Sequence, residues 1–271
     1  MVGFDRQKFT EALDIVKQNY HHLKQPVNNH FTLHLFDILP STNQKLWQLI
    51  AQGAAPGTVV IATEQQAGKG QWGRQWYSPP GGLYLSLSLT PNLPVKQAAQ
   101  LTMSSAWGIA QNLRQLGIPV YLKWPNDLVI SKYKLGGILV ETRVQQERIT
   151  KAVIGVGINW VNPVPETGIN LQSWQENHPG LISSLEMLAA LALTGIVSGY
   201  EYWQQEGVAA FLPAYEKLLN NIGGSIEING QQAVIVGVSE TGDLRVCLKS
   251  VGETPASEIH LALGTISLGY S

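Results

Sequence analysis

The stretch Gly68-Lys69-Gly70-Gln71-Trp72-Gly73-Arg74-Gln75-Trp76-Tyr77-Ser78-Pro79-Pro80 decides which folds the chain can have. Its first six residues match G-x-G-x-x-G, the dinucleotide-binding fingerprint. That fingerprint needs a helix directly after it and an acidic residue about 20 positions on. Neither follows. Pro79-Pro80 forbids the helix, because proline lacks the N–H and clashes with the preceding turn. No Asp or Glu occurs between Glu64 and Asp127. A Walker-type phosphate loop fails as well, since Lys69 is followed by glycine rather than Ser or Thr. What remains is a long aperiodic segment, Glu64–Gly82, rich in glycine, with Trp72, Trp76, Lys69 and Arg74. Long loops inside compact domains usually carry function.

Working outward, Thr58–Thr63 is a β-branched run that reads as a buried strand. Before it, Ser41 is placed to N-cap a helix whose buried stripe is Leu46, Leu49 and Ile50. Phe31–Phe36 alternates like a strand, and residues 5–24 form an amphipathic helix on Phe9, Leu13, Val16 and Tyr20. Gln25–His30 is a connection. After the glycine loop, Leu83–Thr90 is a strand with a leucine side and a Tyr84, Ser86, Ser88 side. Lys96–Leu116 is helical. Strands follow at Val120–Lys123, Leu128–Ile130, Leu135–Glu141 and Ala152–Ile158, then a loop at Asn159–Pro179. Leu181–Leu219 reads as two helices. Past Gly223-Gly224 the period is 2, with turns at Asn229-Gly230 and Gly242-Asp243. The expected organisation is a helix and connection over 1–30, a mixed α+β domain over 31–222, and a small all-β domain over 223–271.

Composition narrows the function. Lys plus Arg is 18 and Asp plus Glu is 19, a net charge of −1. Binding driven by nucleic-acid phosphates calls for a basic excess, so no nucleic-acid partner is expected. No apolar run approaches the roughly 18 residues of a membrane helix, and the first ten residues carry no signal-type apolar stretch. The expectation is a cytoplasmic protein without membrane contact. The single Cys247 excludes an internal disulfide and a multi-cysteine metal site, and sits in an alternating run as a small core residue. The six histidines have no metal-ligand spacing. Trp47, Trp107 and Trp203 fall at helical positions and read as core.

Three clusters carry candidate chemistry. The carboxylate-free span between Glu64 and Asp127 holds Lys69, Arg74, Lys96, Arg114 and Lys123. With its glycines it suits an anion approached by backbone N–H groups, although charged side chains are ordinarily just solvated. Lys123-Trp124-Pro125-Asn126-Asp127 ends a strand on an amide and a carboxylate; Asn126 and Asp127 there are candidate magnesium ligands, against the plain alternative of a turn. Lys134 directly precedes a buried strand whose Gly136-Gly137 marks close approach of a ligand or another backbone.

In order and spacing, these motifs resemble the biotin protein ligases over residues 31–271. The resemblance rests on Ser41-Thr42-Asn43, on Gln65 through Trp76, and on Lys123 through Asp127. It continues with Lys134-Leu135-Gly136-Gly137-Ile138-Leu139-Val140-Glu141, Gly155-Val156-Gly157-Ile158-Asn159 and Gly264-Thr265-Ile266-Ser267-Leu268, the last similar to the family's closing strand. It implies an α+β mixed-sheet catalytic domain and a C-terminal β-barrel of Src-homology type. It implies ATP-dependent formation of biotinyl-5'-AMP, with magnesium, and transfer of biotin to a lysine of the carrier protein of acetyl-CoA carboxylase. The short stretch before the first strand points to the type without a DNA-binding domain. Biotin's neutral ureido ring needs neutral partners, supplied in this comparison by Ser41, Thr42, Asn43 and Gln65, with backbone groups near Gly68 and Lys69. Its apolar tail would lie on Gly137. Lys69, Gly70, Gln71, Trp76, Asn126, Lys134 and Asn159 correspond to the nucleotide site. Lys134, Asp127 and Arg74 are the catalytic candidates, with Asp127 to orient or deprotonate the acceptor amine. The family's loop usually has arginine where Lys69 and Gln71 stand. A looser hold on the adenylate is therefore expected, because lysine lacks the two-pronged contact and glutamine the charge. Lipoate ligase or octanoyltransferase, or a non-catalytic biotin sensor, are the alternatives. The protein is expected to be a monomer or a homodimer, the latter by pairing of the Gly136–Glu141 strand.

Overall fold

The computed structural model describes residues 3–19, 31–178, 182–249, 257–266 and 268–270. The chain runs α1 (Arg6–Asn19), β1 (Thr32–Leu39), α2 (Thr42–Ala51), β2 (Thr58–Gln65), β3 (Leu83–Leu89), β4 (Leu93–Pro94) and α3 (Ala98–Gln115). It continues β5 (Val120–Lys123), β6 (Asp127–Ile130), β7 (Tyr133–Gln145), β8 (Arg148–Ile158), α4 (Leu171–Gln175) and α5 (Leu185–Glu216). Four strands end it: β9 (Ser225–Ile228), β10 (Gln231–Val238), β11 (Leu244–Leu248) and β12 (Ser257–Leu261). The expected connection at Gln25–His30 and the end of the first helix lie outside the described residues.

The large sheet has the order β1-β2-β3-β8-β7-β6-β5, with β4 beside β8. Only β1 and β2 run parallel; every other pairing is antiparallel, so the sheet is mixed as expected. Strand alternation sends successive side chains to opposite faces. Val59 and Ile61 of β2 join the main core, while Val60 and Ala62 pack with Leu46 of α2 in a smaller cluster. In β3, Leu83, Leu85 and Leu87 enter the main core, and Ser86 on the other face is fully buried. Ser86 meets Thr42 and Asn43 at the start of α2, while Ser88 Oγ accepts from Thr58 N and donates to Ala55 O, and Tyr84 OH donates to Pro79 O. Gly136 and Gly137 are flanked on one side by β8 and on the other by β6, so at these residues neither edge of β7 is left for a partner subunit.

The two helices expected in 181–219 are present within Leu185–Glu216 (α5), separated by a kink at Gly207, whose φ of 77° is non-helical. The Asn159–Pro179 loop contains α4, capped by the Asn170 side chain, which accepts from Ser173 N at 2.8 Å. The C-terminal strands form a separate antiparallel sheet in the open order β12-β11-β10-β9. The Asn229-Gly230 hairpin has φ of 50° and 81°, the left-handed pair its turn requires. One expectation is corrected: Gly264–Ile266 is not a strand but follows a turn in which Thr265 N donates to Ala262 O; Ser267 lies outside the described residues. Trp124 ties the two sheets together. Its Nε1 donates to Gly242 O at 2.9 Å and its backbone N to Asn221 Oδ1 at 3.0 Å.

Candidate active site

A cavity of about 210 Å³ opens between the start of α2, the glycine loop, strands β6 to β8 and the C-terminal tail. One end is neutral. Ser41 holds the N-cap position of α2 with extended φ and ψ, but its side chain does not cap the helix; its carbonyl accepts from Lys45 N. Buried, it lines the cavity instead. Thr42 donates from backbone N and Oγ1 to Gln65 Oε1, at 2.8 and 3.1 Å. Gln65 Nε2 donates to Ser78 Oγ at 2.9 Å. The Asn43 amide is fixed from both sides: Oδ1 accepts from Ser86 Oγ at 2.6 Å, and Nδ2 donates to Glu141 Oε2 at 3.0 Å. Trp47 Nε1 donates to the same Glu141 oxygen at 3.1 Å, so this tryptophan, read as core, also anchors the site. Ser78, Ser86 and Glu141 are support residues that the sequence reading did not single out. Glu141 closes a quoted motif, and Ser86 lies on the polar side of its strand.

The floor is glycine. A methyl group at Gly155 would lie 3.0 Å from Asn43 Cγ, and one at Gly157 would lie 2.7 Å from Trp76 Cε2. Both distances are below ordinary contact, so the strand here must be bare for Asn43 and Trp76 to sit where they do. Above the floor the glycine loop folds on itself: Trp76 N donates to Gly68 O and Gly70 N to Arg74 O, at 2.9 and 2.7 Å. Trp72 takes left-handed angles, φ 59° and ψ 34°, and is 60% exposed. Gln71 Oε1 and Trp76 Nε1 are buried without a hydrogen-bond partner. Buried polar atoms are costly when unpaired, and Trp76 Nε1 lies against the bare Gly157 backbone.

The other end is cationic. Lys134 Nζ stands 2.7 Å from Asp127 Oδ1 and 5.2 Å from the centre of the Trp76 ring. Lys123 is buried, and that burial pushes its pKa down, with Asp127 opposing. Lys69 and Arg74 add two more cations at the wall. Among the described residues Asp127 is the only carboxylate lining the cavity. Its Oδ2 accepts from Tyr270 OH at 2.6 Å. Asn126 Nδ2 donates to Ile138 O at 2.6 Å. As a magnesium site this pair fits poorly by itself: both Asp127 oxygens already accept from donors, two ammonium groups stand beside it, and magnesium prefers several hard oxygens. Among the described residues no three His, Cys, Asp or Glu side chains cluster to hold a metal.

Most expected site residues meet at this cavity: Ser41, Thr42, Asn43 and Gln65 at one end, Lys69, Gly70, Gln71, Arg74 and Trp76 along the loop, and Asn126, Asp127, Lys134 and Gly137 opposite. Two do not reach its wall. Gly68 is packed beneath Trp76 O and Ser78 Oγ. Asn159 spends its amide on protein groups: Nδ2 donates to Ile169 O at 3.2 Å, and Oδ1 accepts from Asn162 Nδ2 at 3.0 Å. It pins the following loop to β7. The tail residues Leu268, Gly269 and Tyr270 line the cavity; Leu268 ends a quoted motif, and Gly269 and Tyr270 have no signal in the sequence.

The sequence profile of the Biotin/lipoate A/B protein ligase family matches residues 35–159. The bifunctional ligase/repressor BirA of Bacillus subtilis is 39% identical over 131 residues, 48% of this chain and 40% of that protein. The same-named protein of Salmonella typhimurium is 35% identical over 216 residues, 78% of this chain and 67% of that protein. The match thus spans two fifths to two thirds of these relatives' length. The crystal structure of a biotin acetyl coenzyme A carboxylase synthetase from Helicobacter pylori, with bound biotinylated ATP, superposes with a TM-score of 0.55 at 25% identity. It covers 85% of this chain and all of its own. With this fold and these motifs, the chain belongs to the biotin protein ligases of the biotin/lipoate A/B protein ligase family.

Proposed function

We propose that the protein is an ATP-dependent biotin protein ligase, acting in the cytoplasm without nucleic acid or membrane. Biotin and ATP form biotinyl-5'-AMP and pyrophosphate, and the biotinyl group then passes to a lysine of an acetyl-CoA carboxylase's biotin carboxyl carrier protein. The observation that carries this reading is the division of one cavity into a neutral hydrogen-bonding end and a cationic end over a bare glycine floor. A neutral bicyclic urea fits the first end. There Asn43 is held in one orientation, and Gln65 Nε2 keeps a second N–H beyond the one given to Ser78. A carboxylate meeting a triphosphate fits the second.

In the first step the biotin carboxylate oxygen bonds to the α-phosphorus as the bond to pyrophosphate breaks. Negative charge gathers on phosphoryl oxygens, and the cations Lys134, Lys69 and Arg74 on the cavity wall stabilise it. Lys134 is the catalytic group of this step: its ammonium lies on the cavity wall, aimed by Asp127. Magnesium bound by the nucleotide would supply charge neutralisation at the phosphates. In the second step the carrier's neutral amine attacks the anhydride carbonyl, the bond to AMP breaks, and a proton is released from nitrogen. Asp127, the only carboxylate at the cavity among the described residues, orients that amine. Trp76 covers the adenylate against water. The protein acts as a monomer or a homodimer.

The test is exchange of labelled pyrophosphate into ATP, with biotin, lipoate and octanoate compared. Exchange with biotin alone supports the reading. Exchange with lipoate instead moves the substrate, and exchange with no acid refutes an adenylating enzyme.

A further inference from the structure

The Lys134 ammonium must be held at one point, yet it ends a flexible four-carbon stem and is partly open to solvent. Its partner Asp127 needs holding in turn. The side chain that does so comes from the far end of the chain. Tyr270 OH donates to Asp127 Oδ2 at 2.6 Å, leaving Oδ1 to Lys134. Tyr270 is itself fixed by a second lysine. The Lys123 ammonium lies 3.5 Å from the centre of the Tyr270 ring and donates to the Gly269 carbonyl. A cation on an aromatic face and a charged hydrogen bond to the adjacent carbonyl clamp the tail at one place. Burial and the neighbouring Asp127 charge keep the phenol protonated, hence a donor. A further contact binds the tail's approach to the glycine loop: Gly264 lies so close to Trp72 that a methyl group there would be 2.8 Å from the indole.

Resting on the ligase reading, we infer that Tyr270 is a positioning residue: the C-terminal tail delivers its phenol to fix Asp127, and through it Lys134. The small C-terminal sheet thereby completes the site. The relay runs from Lys123 on β5, through the tail, to Asp127 on β6 and Lys134 on β7.

The test is a double-mutant cycle on Tyr270→Phe and Asp127→Asn, since coupled residues depart from additivity. Tyr270→Phe keeps the ring on Lys123 and removes one hydroxyl. Its kcat in biotin-dependent pyrophosphate exchange is expected to fall about tenfold, with KM for biotin and ATP changed less than about twofold. The double variant is expected to be no slower than Asp127→Asn alone. A second cycle in urea unfolding reads the same contact without activity, as non-additive midpoint shifts. A wild-type kcat in Tyr270→Phe, losses that multiply in the double variant, or additive unfolding midpoints would each overturn the inference. A parent protein without exchange would refute the ligase reading and the catalytic half of this one. The unfolding cycle would then still decide whether Tyr270 holds Asp127.

Discussion

Gly155→Ala is the sharpest single perturbation of the neutral end. The added methyl would meet Asn43 Cγ at 3.0 Å and its Nδ2 at 3.1 Å, and would overlap Oδ1 outright. Asn43 cannot yield freely, because Ser86 holds its oxygen at 2.6 Å and Glu141 its nitrogen at 3.0 Å. Restoring ordinary contact requires a movement of several tenths of an ångström or more. That stretches the Glu141 bond towards the roughly 3.5 Å limit at which it ceases to be one. The bond to a carboxylate is worth about 1.5–3 kcal/mol and the neutral one about 1 kcal/mol. Overpacking a close-fitted site adds about 1–3 kcal/mol. Part of this total appears as lost stability and part as lost ligand affinity. The expected result in biotin titration calorimetry without ATP is a Kd raised at least about tenfold, or roughly 1.4 kcal/mol, with the protein still folded. A variant that binds biotin as tightly as its parent while melting several degrees lower would refute the placement of Asn43 at the biotin end and leave it a structural residue.

Lys134→Ala should reduce biotin-dependent pyrophosphate exchange by at least about a hundredfold, as loss of a fixed charge at a transition state does, while biotin binding in calorimetry stays within about twofold. Gln71→Arg should slow release of preformed biotinyl-adenylate, measured by filter retention, because it puts a guanidinium where an unpaired amide oxygen now points inward; release as fast as the parent's would remove Gln71 from the adenylate site. At alkaline pH the folded state holds the Tyr84 and Tyr215 phenols protonated through burial, both with pKa raised. For a group whose pKa is raised on folding, the stability it contributes is present below the unfolded value near 10 and is lost above it. Urea midpoints should therefore fall steeply above about pH 10, and Tyr84→Phe should make that fall shallower.

The parts of the fold legible in the sequence are those fixed by local pattern. Val59 to Ala62 alternates between two cores, and the alternation of Leu83 to Ser88 marks a two-faced strand, because a pleated strand makes period 2 unavoidable. What alternation cannot say is what the polar face meets. Ser86 is buried against Asn43, 43 positions earlier in the chain, and only the packing of α2 on the sheet brings them together. The strand expected at Gly264–Leu268 fails for a related reason. A short run of Thr, Ile and Leu has strand propensity, but propensity yields to context, and here the segment turns to enter the cavity. Asn159 was placed at the nucleotide by its motif. Its amide instead satisfies backbone carbonyls of a turn, the usual use of a buried asparagine in a loop.

The charge balance of the cavity gives the tail its physical meaning. Among the described residues, Lys69, Arg74 and Lys134 line the cavity with one carboxylate, Asp127, while Lys123 is off its wall and packs on the Tyr270 ring. Like charges at this spacing repel, and Lys123 in addition bears the cost of burial, which lowers its pKa. Asp127 offsets part of that cost. The Gly269 carbonyl and the Tyr270 ring give Lys123 its remaining partners without adding negative charge. Neutral partners satisfy Lys123 and leave the net positive field at Lys134 intact for the phosphates. A carbonyl and an aromatic ring are therefore the chemistry this position calls for: they lock a cation in place without competing for the anionic substrate.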